Sequence, residues 1–135
     1  MTDLKTITIL FRAHNRIENL IRDDVRCHGL NISEFGTLEV LYHKGPLPVQ
    51  TIKNKVLIAS SSMSYVIERL MDKDLITKVT DPKDNRVHYV HLSPKGKALM
   101  DEIYPKHVQT LRQTLNKLTE EEEQQLHTLL KKLGK

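Results

Sequence analysis

Residues 58–96 carry most of the information about the fold, and they read IASSSMSYVIERLMDKDLITKVTDPKDNRVHYVHLSPKG. Residues 60–73, in the first part of this stretch, have the spacing of an amphipathic helix. Apolar side chains three or four residues apart form one face of it, namely Met63, Val66, Ile67 and Leu70. We therefore predict a helix over residues 60–73 with one buried face.

Small hydroxyl side chains dominate the rest of the same predicted helix. They are Ser60, Ser61, Ser62 and Ser64, and Tyr65 and Arg69 continue the polar face. Serines allow a helix to approach nucleic acid closely and offer hydrogen-bond donors and acceptors, while an arginine suits a phosphate. One serine would need no explanation beyond helix capping, but four hydroxyls within five positions favour a binding face.

Strands are predicted on the far side of this helix. Residues 75–80 and 86–92 have strand character, and the turn-forming run 81–85 joins them. Upstream, residues 48–56 predict a helix, and the short turn 57–59 connects it to the serine-rich helix. Two helices joined by a short turn and followed by a hairpin predict a winged helix-turn-helix, in which the hairpin is the wing rather than an ordinary surface hairpin.

Further helices flank this unit on both sides. Residues 4–27 predict a long helix that ends at Gly29, and Ser33 is predicted to cap a second helix. After the wing, Ser93 opens a fifth helix, and the capping-box sequence at residues 119–122 opens a sixth.

The amphipathic terminal helices need a partner for their apolar faces, and a second copy of the chain is the simplest partner. We therefore predict one domain over residues 1–135, mainly α with a small β-wing. Residues 30–92 are the predicted DNA-binding lobe, and residues 1–28 and 93–135 are the predicted dimerisation helices. A homodimer suits double-stranded DNA, because paired recognition helices then meet half-sites about one helical turn apart.

Composition and charge favour nucleic-acid binding and exclude several other classes. Residues 44–97 contain ten Lys/Arg against five Asp/Glu, so the net charge of +4 is concentrated in the predicted lobe. No apolar run approaches membrane-spanning length, and the single cysteine, Cys27, suits a reducing cytoplasm. The five glycines form no phosphate-binding loop, and no metal or nucleophile motif is present, so we expect neither an enzyme nor a cofactor.

Two motifs resemble the MarR family of bacterial transcriptional regulators. They are SSSMSYVI at residues 60–67 and the wing sequence DPKDNR at residues 81–86, which leads into LSPKG at residues 92–96. The resemblance covers essentially the whole chain. It implies a homodimeric repressor that binds a pseudo-palindromic operator and is released by a ligand or an oxidant. Residues 60–67 and YPKH at 104–107 are most similar to a subgroup that responds to quinones and related phenolic electrophiles.

The family's DNA contacts, carried over to this sequence, fall in the recognition helix and in the wing residues Lys83, Asp84, Asn85 and Arg86. The resemblance implies that Arg86 enters the minor groove while Asp84 holds its guanidinium, which is physically sensible because a narrow groove concentrates negative potential. Three residues depart from the family pattern. A second arginine is frequent at the position of Asn85, and glycine is frequent at the positions of Leu57 and Asp74.

The resemblance also implies a small aromatic ligand in the cleft between the dimerisation helices and the DNA-binding lobe. The candidate cleft residues are His14, Cys27, His28, Tyr42 and His43. Cys27 is alternatively a redox sensor, because neighbouring Arg26 and His28 favour its thiolate. Ordinary packing or surface exposure would explain the same five residues without any ligand.

Two further alternatives stay open. Zinc-responsive members of the family use carboxylate and His ligands, and Asp24, His43 and His107 are the corresponding candidates here. Leu111 stands where a further histidine would help, and the spacings form no compact tetrahedral motif. The second alternative is a winged helix that binds another protein instead of DNA, since the fold hosts other tasks.

Overall fold

The computed structural model describes residues 3–56 and 62–134. Within these ranges the chain is mainly helical with a small antiparallel sheet, which confirms the predicted fold class. In chain order the elements are α1 (Lys5–Arg26), α2 (Ile32–Lys44), β1 (Leu47–Pro48), α3 (Val49–Lys55), α4 (Met63–Asp72), β2 (Ile76–Thr80), β3 (His88–Leu92), α5 (Pro94–Leu115) and α6 (Glu120–Gly134). None of the helices in these ranges is long and apolar enough to cross a membrane.

In the described part of the chain the sheet contains three strands in the order β1-β3-β2, one more than the sequence predicted. β2 and β3 pair along their whole length, so the predicted hairpin is confirmed. β1 is only two residues long and pairs with Val90 and Tyr89 of β3. Two residues are too few to show strand periodicity, and Pro48 argues against a strand, so this pairing could not be read from the sequence.

The core is mainly aliphatic, and α2 packs in its middle. Phe35, Leu38 and Leu41 of α2 are all buried. They belong to one cluster with buried residues from α1, α3, α4, β3 and α5, namely Val25, Ile52, Leu70, Val90, Met100 and Ile103. Burial of these side chains therefore holds the helix-turn-helix pair, α3 and α4, against the long helices α1 and α5.

α2 begins after Asn31, so the prediction that Ser33 caps this helix is wrong. Asn31 Oδ1 accepts a hydrogen bond from the Glu34 backbone N–H at 2.8 Å, and the Glu34 carboxylate accepts one from the Asn31 N–H at 2.9 Å. Asparagine and serine cap helices about equally well, but only Asn31 has a glutamate three residues later to complete a capping box. Ser33 lies fully buried inside the helix instead.

Three other predicted helix boundaries are confirmed. Gly29 adopts the left-handed conformation, with φ of 74°, in the turn that closes α1. The Ser93 hydroxyl accepts a hydrogen bond from the first turn of α5 at 2.9 Å. Thr119 and Glu122 exchange backbone-to-side-chain hydrogen bonds and form the capping box that opens α6.

The start of α5 is hydrogen-bonded to Asp74 and Leu75, the residues that connect α4 to β2. Ser93 Oγ donates a hydrogen bond to the Asp74 carbonyl at 2.6 Å, and the Ser93 N–H donates to the Leu75 carbonyl at 3.0 Å. Gly96 packs so closely that an added Cβ would overlap the Leu75 carbonyl oxygen. A glycine is therefore needed for α5 to approach the end of α4 this closely.

Replacing Gly96 with alanine is expected to lower the free energy of unfolding by about 1–3 kcal/mol, because the new methyl group must displace α5 from the Leu75 carbonyl. Gly134→Ala is the matched control, since Gly134 is also helical but has open space around an added Cβ. Urea denaturation measures both values. Equal stabilities of the two variants would contradict the tight packing at Gly96.

Candidate nucleic-acid interface

α4 begins at Met63, three residues later than the sequence predicted. Ser62 is its N-cap, because its backbone is extended and its Oγ accepts a hydrogen bond from the Tyr65 N–H at 3.3 Å. This serine therefore caps the helix and is also exposed to solvent. Ser60 and Ser61, which were predicted to contact DNA, lie outside the described residues.

α4 has the two-sided character that the sequence predicts. Its buried residues are Met63, Val66, Ile67 and Leu70. Ser64, Tyr65 and Arg69 are exposed to solvent, and 53% of the Tyr65 surface is accessible. A tyrosine hydroxyl and a guanidinium beside a small serine can contact base edges and phosphates without a steric barrier.

Arg86 and Asp84 form a fork at the tip of the wing. Arg86 donates from Nε to Asp84 Oδ1 at 3.1 Å, from Nη2 to Oδ2 at 3.2 Å, and from its backbone N–H to Oδ1 at 3.0 Å. The side-chain hydrogen bonds from Arg86, and then the backbone one, lower the pKa of the Asp84 carboxyl. These hydrogen bonds hold the Arg86 side chain in one orientation. Because the side chain is also 91% exposed, its outer edge stays open to a partner.

The turn that carries this fork is shaped by Asp81. The Asp81 carboxylate accepts a hydrogen bond from the Lys83 N–H at 2.8 Å, and the Asp81 N–H donates to the Val87 carbonyl at 2.8 Å. Both Lys83 and Asn85 are exposed at the tip. All four predicted wing contacts, including Asp84 and Arg86, therefore belong to one short surface turn.

α4 and the wing border the same surface groove. Ser64 and Glu68 of α4 line it together with Lys78 of β2. Asp74 lies in the turn that follows α4, and its φ of 61° is left-handed although the residue is not glycine. Aspartate tolerates this conformation better than most residues, so Asp74 can form a turn in which glycine would otherwise be expected.

A separate cavity of about 280 Å³ lies between α1, α2, α5 and the end of α3. Its walls combine apolar side chains with a few polar groups, and they include Ile21, Phe35, Val40, Lys55, His107 and Leu111. This mixture is typical of sites for small organic ligands, in which a few polar groups fix the orientation of an apolar molecule.

His107 is buried at the wall of this cavity and is held there by two contacts. Its Nδ1 lies 2.7 Å from Asp24 Oδ2 of α1, and its ring centroid lies 4.4 Å from that of Phe35. Asp24 and His107 were two of the three zinc candidates, but the third, His43, packs on Tyr104 instead. The described part of the chain contains no group of three or more His, Cys, Asp or Glu that could hold a metal, so the zinc alternative has no support.

The other residues predicted for the ligand cleft lie elsewhere along α1 and α2. His14 is exposed on α1, and Cys27 and His28 follow the end of that helix. The Cys27 thiol is exposed and donates a weak hydrogen bond to the Asp23 carbonyl at 3.5 Å. These three predicted ligand or redox residues are not among the described residues that line the cavity.

Tyr42 and His43 form a cluster of rings with Tyr104 near the other end of α2. The Tyr42 hydroxyl donates to the Asp101 carboxylate at 2.7 Å, and this hydrogen bond raises the pKa of Tyr42. The two predicted residues are thus brought together, but around Tyr104 rather than around the cavity.

Phe35, Lys55 and His107 line the cavity, and none was predicted to bind an organic ligand. Phe35 has the spacing of a core residue, and periodicity gives no measure of the space left between helices. His107 carries the one available signal, because it lies four residues from both Ile103 and Leu111 in an otherwise apolar stripe.

Residues 30–88, which contain the helix-turn-helix and most of the wing, match the MarR family. The HTH-type transcriptional regulator MhqR of Bacillus subtilis is 37% identical over 131 residues, which cover 97% of this chain and 90% of that protein. The chain belongs to the MarR family. This MarR-family protein is accordingly a DNA-binding transcriptional regulator and not an enzyme.

Two solved structures share the fold of this MarR-family chain over nearly its whole length. A structure of Bordetella bronchiseptica BpsR, which concerns the regulation of its DNA binding by 6-hydroxynicotinic acid, is 27% identical, with a TM-score of 0.84 and coverage of 97% of this chain and 99% of that one. A mutant of Escherichia coli MarR in complex with operator DNA has a TM-score of 0.85 at 17% identity and covers 98% and 95% of the two chains. The second likeness shows the fold alone.

Proposed function

We propose that this regulator is a homodimeric repressor that binds a pseudo-palindromic operator and is released by a small phenolic or quinone-type compound or by an oxidant. The observation that carries the DNA-binding part is the Arg86–Asp84 fork, which presents a fixed and exposed guanidinium at the wing tip. Ser64, Tyr65 and Arg69 of α4 supply the sequence-reading surface, and Ser64 borders the same groove as Lys78 of the wing strand β2.

The wing and α4 have different tasks in this proposal. α4 enters the major groove, where Ser64 and Tyr65 meet base edges and Arg69 meets a phosphate. Arg86 enters the adjacent minor groove, and Lys83 adds phosphate attraction. The Asp84 carboxylate removes most of the rotational freedom of Arg86 before binding, which lowers the entropy cost of inserting it.

Arg86→Ala is expected to weaken operator binding by about tenfold to a hundredfold, because the minor-groove contact is lost. Fluorescence anisotropy with a duplex recovered from a random pool by binding to the protein gives the affinity. Arg22→Ala is the matched control, because it removes the same charge from α1, where Arg22 pairs with Glu18. An affinity of Arg86→Ala equal to that of the control would contradict the wing contact.

The dimer part of the proposal rests on uncovered apolar side chains. α6 buries none of its described residues, and Leu129 and Leu133 are 61% and 63% exposed. Leu4 and Phe11 near the start of α1 are exposed to a similar degree. Large exposed apolar side chains on two terminal helices are typical of an association surface, and a second copy of the chain is the occupant that gives two α4 helices with two-fold symmetry.

Leu129→Glu is expected to convert the dimer into a monomer and to lower operator affinity with it, because a carboxylate would be buried in the interface without a partner. Thr128→Glu is the matched control, since it adds the same charge about 100° around α6 from Leu129 and outside the apolar stripe of Leu126, Leu129, Leu130 and Leu133. Sedimentation velocity distinguishes the two species. A dimeric Leu129→Glu protein would refute the assignment of α6 to the interface.

The release part of the proposal rests on the cavity between α1, α2 and α5. Its volume of about 280 Å³ suits a compound with a single aromatic ring. Phe35 and His107 offer ring faces there, and Lys55 offers a cation to a phenolate or carboxylate. The BpsR likeness supports this class of ligand, because a hydroxylated aromatic acid regulates DNA binding by that protein.

Val40→Phe is expected to fill part of the cavity and abolish release of DNA by hydroquinone under reducing conditions, while operator affinity without the compound is unchanged. Titration of the protein–duplex complex measures release. Cys27→Ser, tested with benzoquinone, separates the oxidant route, because loss of the response in this variant alone would assign sensing to the thiol. Release of Val40→Phe by the same concentration of hydroquinone as wild type would contradict the cavity as the sensor.

A further inference from the structure

Lys73, at the C-terminal end of α4, uses all of its hydrogen-bond donors inside the protein. Its Nζ donates to both carboxylate oxygens of Glu34, at 3.0 and 2.9 Å, and to the Gly29 carbonyl at 3.0 Å. An ammonium group has three N–H donors, and the three acceptors account for them. A lysine at the end of a DNA-reading helix would ordinarily be counted as a phosphate contact, but this one is already engaged.

The acceptors of Lys73 come from two other elements. Gly29 belongs to the turn that closes α1, and Glu34 lies in the first turn of α2. The Glu34 side chain is only 3% exposed, and its Oε1 also accepts the Asn31 N–H in the capping box. The Asn31 N–H and burial therefore hold the Glu34 carboxylate in place independently of Lys73. The ion pair joins the end of α4 to the junction of α1 and α2.

Other contacts prevent Lys73 from moving away from this junction. Its own carbonyl accepts a hydrogen bond from Lys95 Nζ of α5 at 3.2 Å, and Asp74 follows in a left-handed turn. Because the Glu34 charge is buried, loss of its cation is strongly unfavourable, and the pair resists separation more than a surface ion pair would. The end of α4 is thus tied to α1, α2 and α5 by directional contacts.

We propose that Lys73 is a positioning residue for DNA recognition, which fixes the orientation of α4 relative to the dimerisation helix α1 through Glu34 and Gly29, and that it does not bind phosphate. This inference rests on the proposed role of α4 and the wing in DNA binding. In a dimer, the orientation of α4 on α1 sets the spacing of the two reading helices. A change in that orientation weakens binding to two half-sites at fixed spacing while preserving charge-driven binding to any duplex.

Three lysine variants test the proposal with a selected operator duplex and an unrelated duplex over a range of salt concentrations. Lys73→Met is expected to lower operator affinity about tenfold, with unchanged affinity for unrelated duplex and an unchanged salt slope. Lys83→Met, at the wing tip, is expected to reduce the salt slope by about one. Lys97→Met is the matched control, because Lys97 is also ion-paired, with Asp101 on the same helix, and is expected to change neither quantity.

Two further variants keep the test independent of folding. Glu34→Gln combined with Lys73→Met removes the buried charge but retains an acceptor for the Asn31 N–H, and it is expected to show the same selective loss of operator affinity. Lys73→Arg keeps the cation and the donors, and it is expected to recover most of that affinity. Stoichiometric titration gives the active fraction of each variant, so a partly unfolded sample, which would lose both duplexes equally, is recognised.

Two results of these binding measurements would overturn the proposed role of Lys73. A lowered salt slope for Lys73→Met, equal to that of Lys83→Met, would make Lys73 a phosphate contact and overturn the proposal. Wild-type operator affinity in both Lys73→Met and the double variant would overturn it as well. If Lys83→Met and Arg86→Ala also left binding unchanged, the proposed DNA-binding face itself would be wrong, which is a separate failure.

Discussion

The anchored C-terminal end of α4 is the constraint on which the rest of the structure depends. Within three residues the chain must leave a helix that faces solvent and enter β2, the first strand of the wing hairpin. Asp74 makes this turn in a left-handed conformation, Ser93 binds its carbonyl, and Gly96 lets α5 lie against Leu75. This junction therefore fixes α4, the wing and α5 relative to one another, so the orientations of α4 and the wing depend on the same contacts.

The first turn of α2 is the second support, and it faces two regions at once. Glu34 binds Lys73 at the end of α4, while the next residue, Phe35, packs on His107 at the wall of the cavity. Adjacent helical residues point about 100° apart, so one turn contacts both the end of α4 and the cavity. His107 is itself held by Asp24 of α1. The cavity is therefore built from the same helices that orient α4.

The fold was largely predictable from the sequence, because it depends on local signals. Helical spacing identified the buried face of α4, and Gly29 and Ser93 marked helix ends through their own backbone preferences. The cap of α2 is also a local signal, because Asn31 and not Ser33 has the glutamate of a capping box three residues later. The third strand was not predictable, because its two residues pair only through a partner distant in sequence.

The candidate site was less predictable, because its geometry depends on contacts between distant residues. The Asp84–Arg86 pair is local and was anticipated, although only through the family resemblance. The ion pair of Lys73 with Glu34 spans 39 residues, and no periodicity indicates it. The cavity is the space left between helices, which the residue pattern does not measure. The sequence thus predicted α4 and the wing hairpin better than the contacts that orient them.

A crystal structure of the protein on a selected operator duplex tests the central claim most directly. The account predicts two copies related by a two-fold axis, with α4 of each in successive major grooves on one face, Arg86 in the flanking minor grooves, and Lys73 still bound to Glu34. A complex in which α4 faced away from the DNA, or in which Lys73 had left Glu34 for a phosphate, would contradict it.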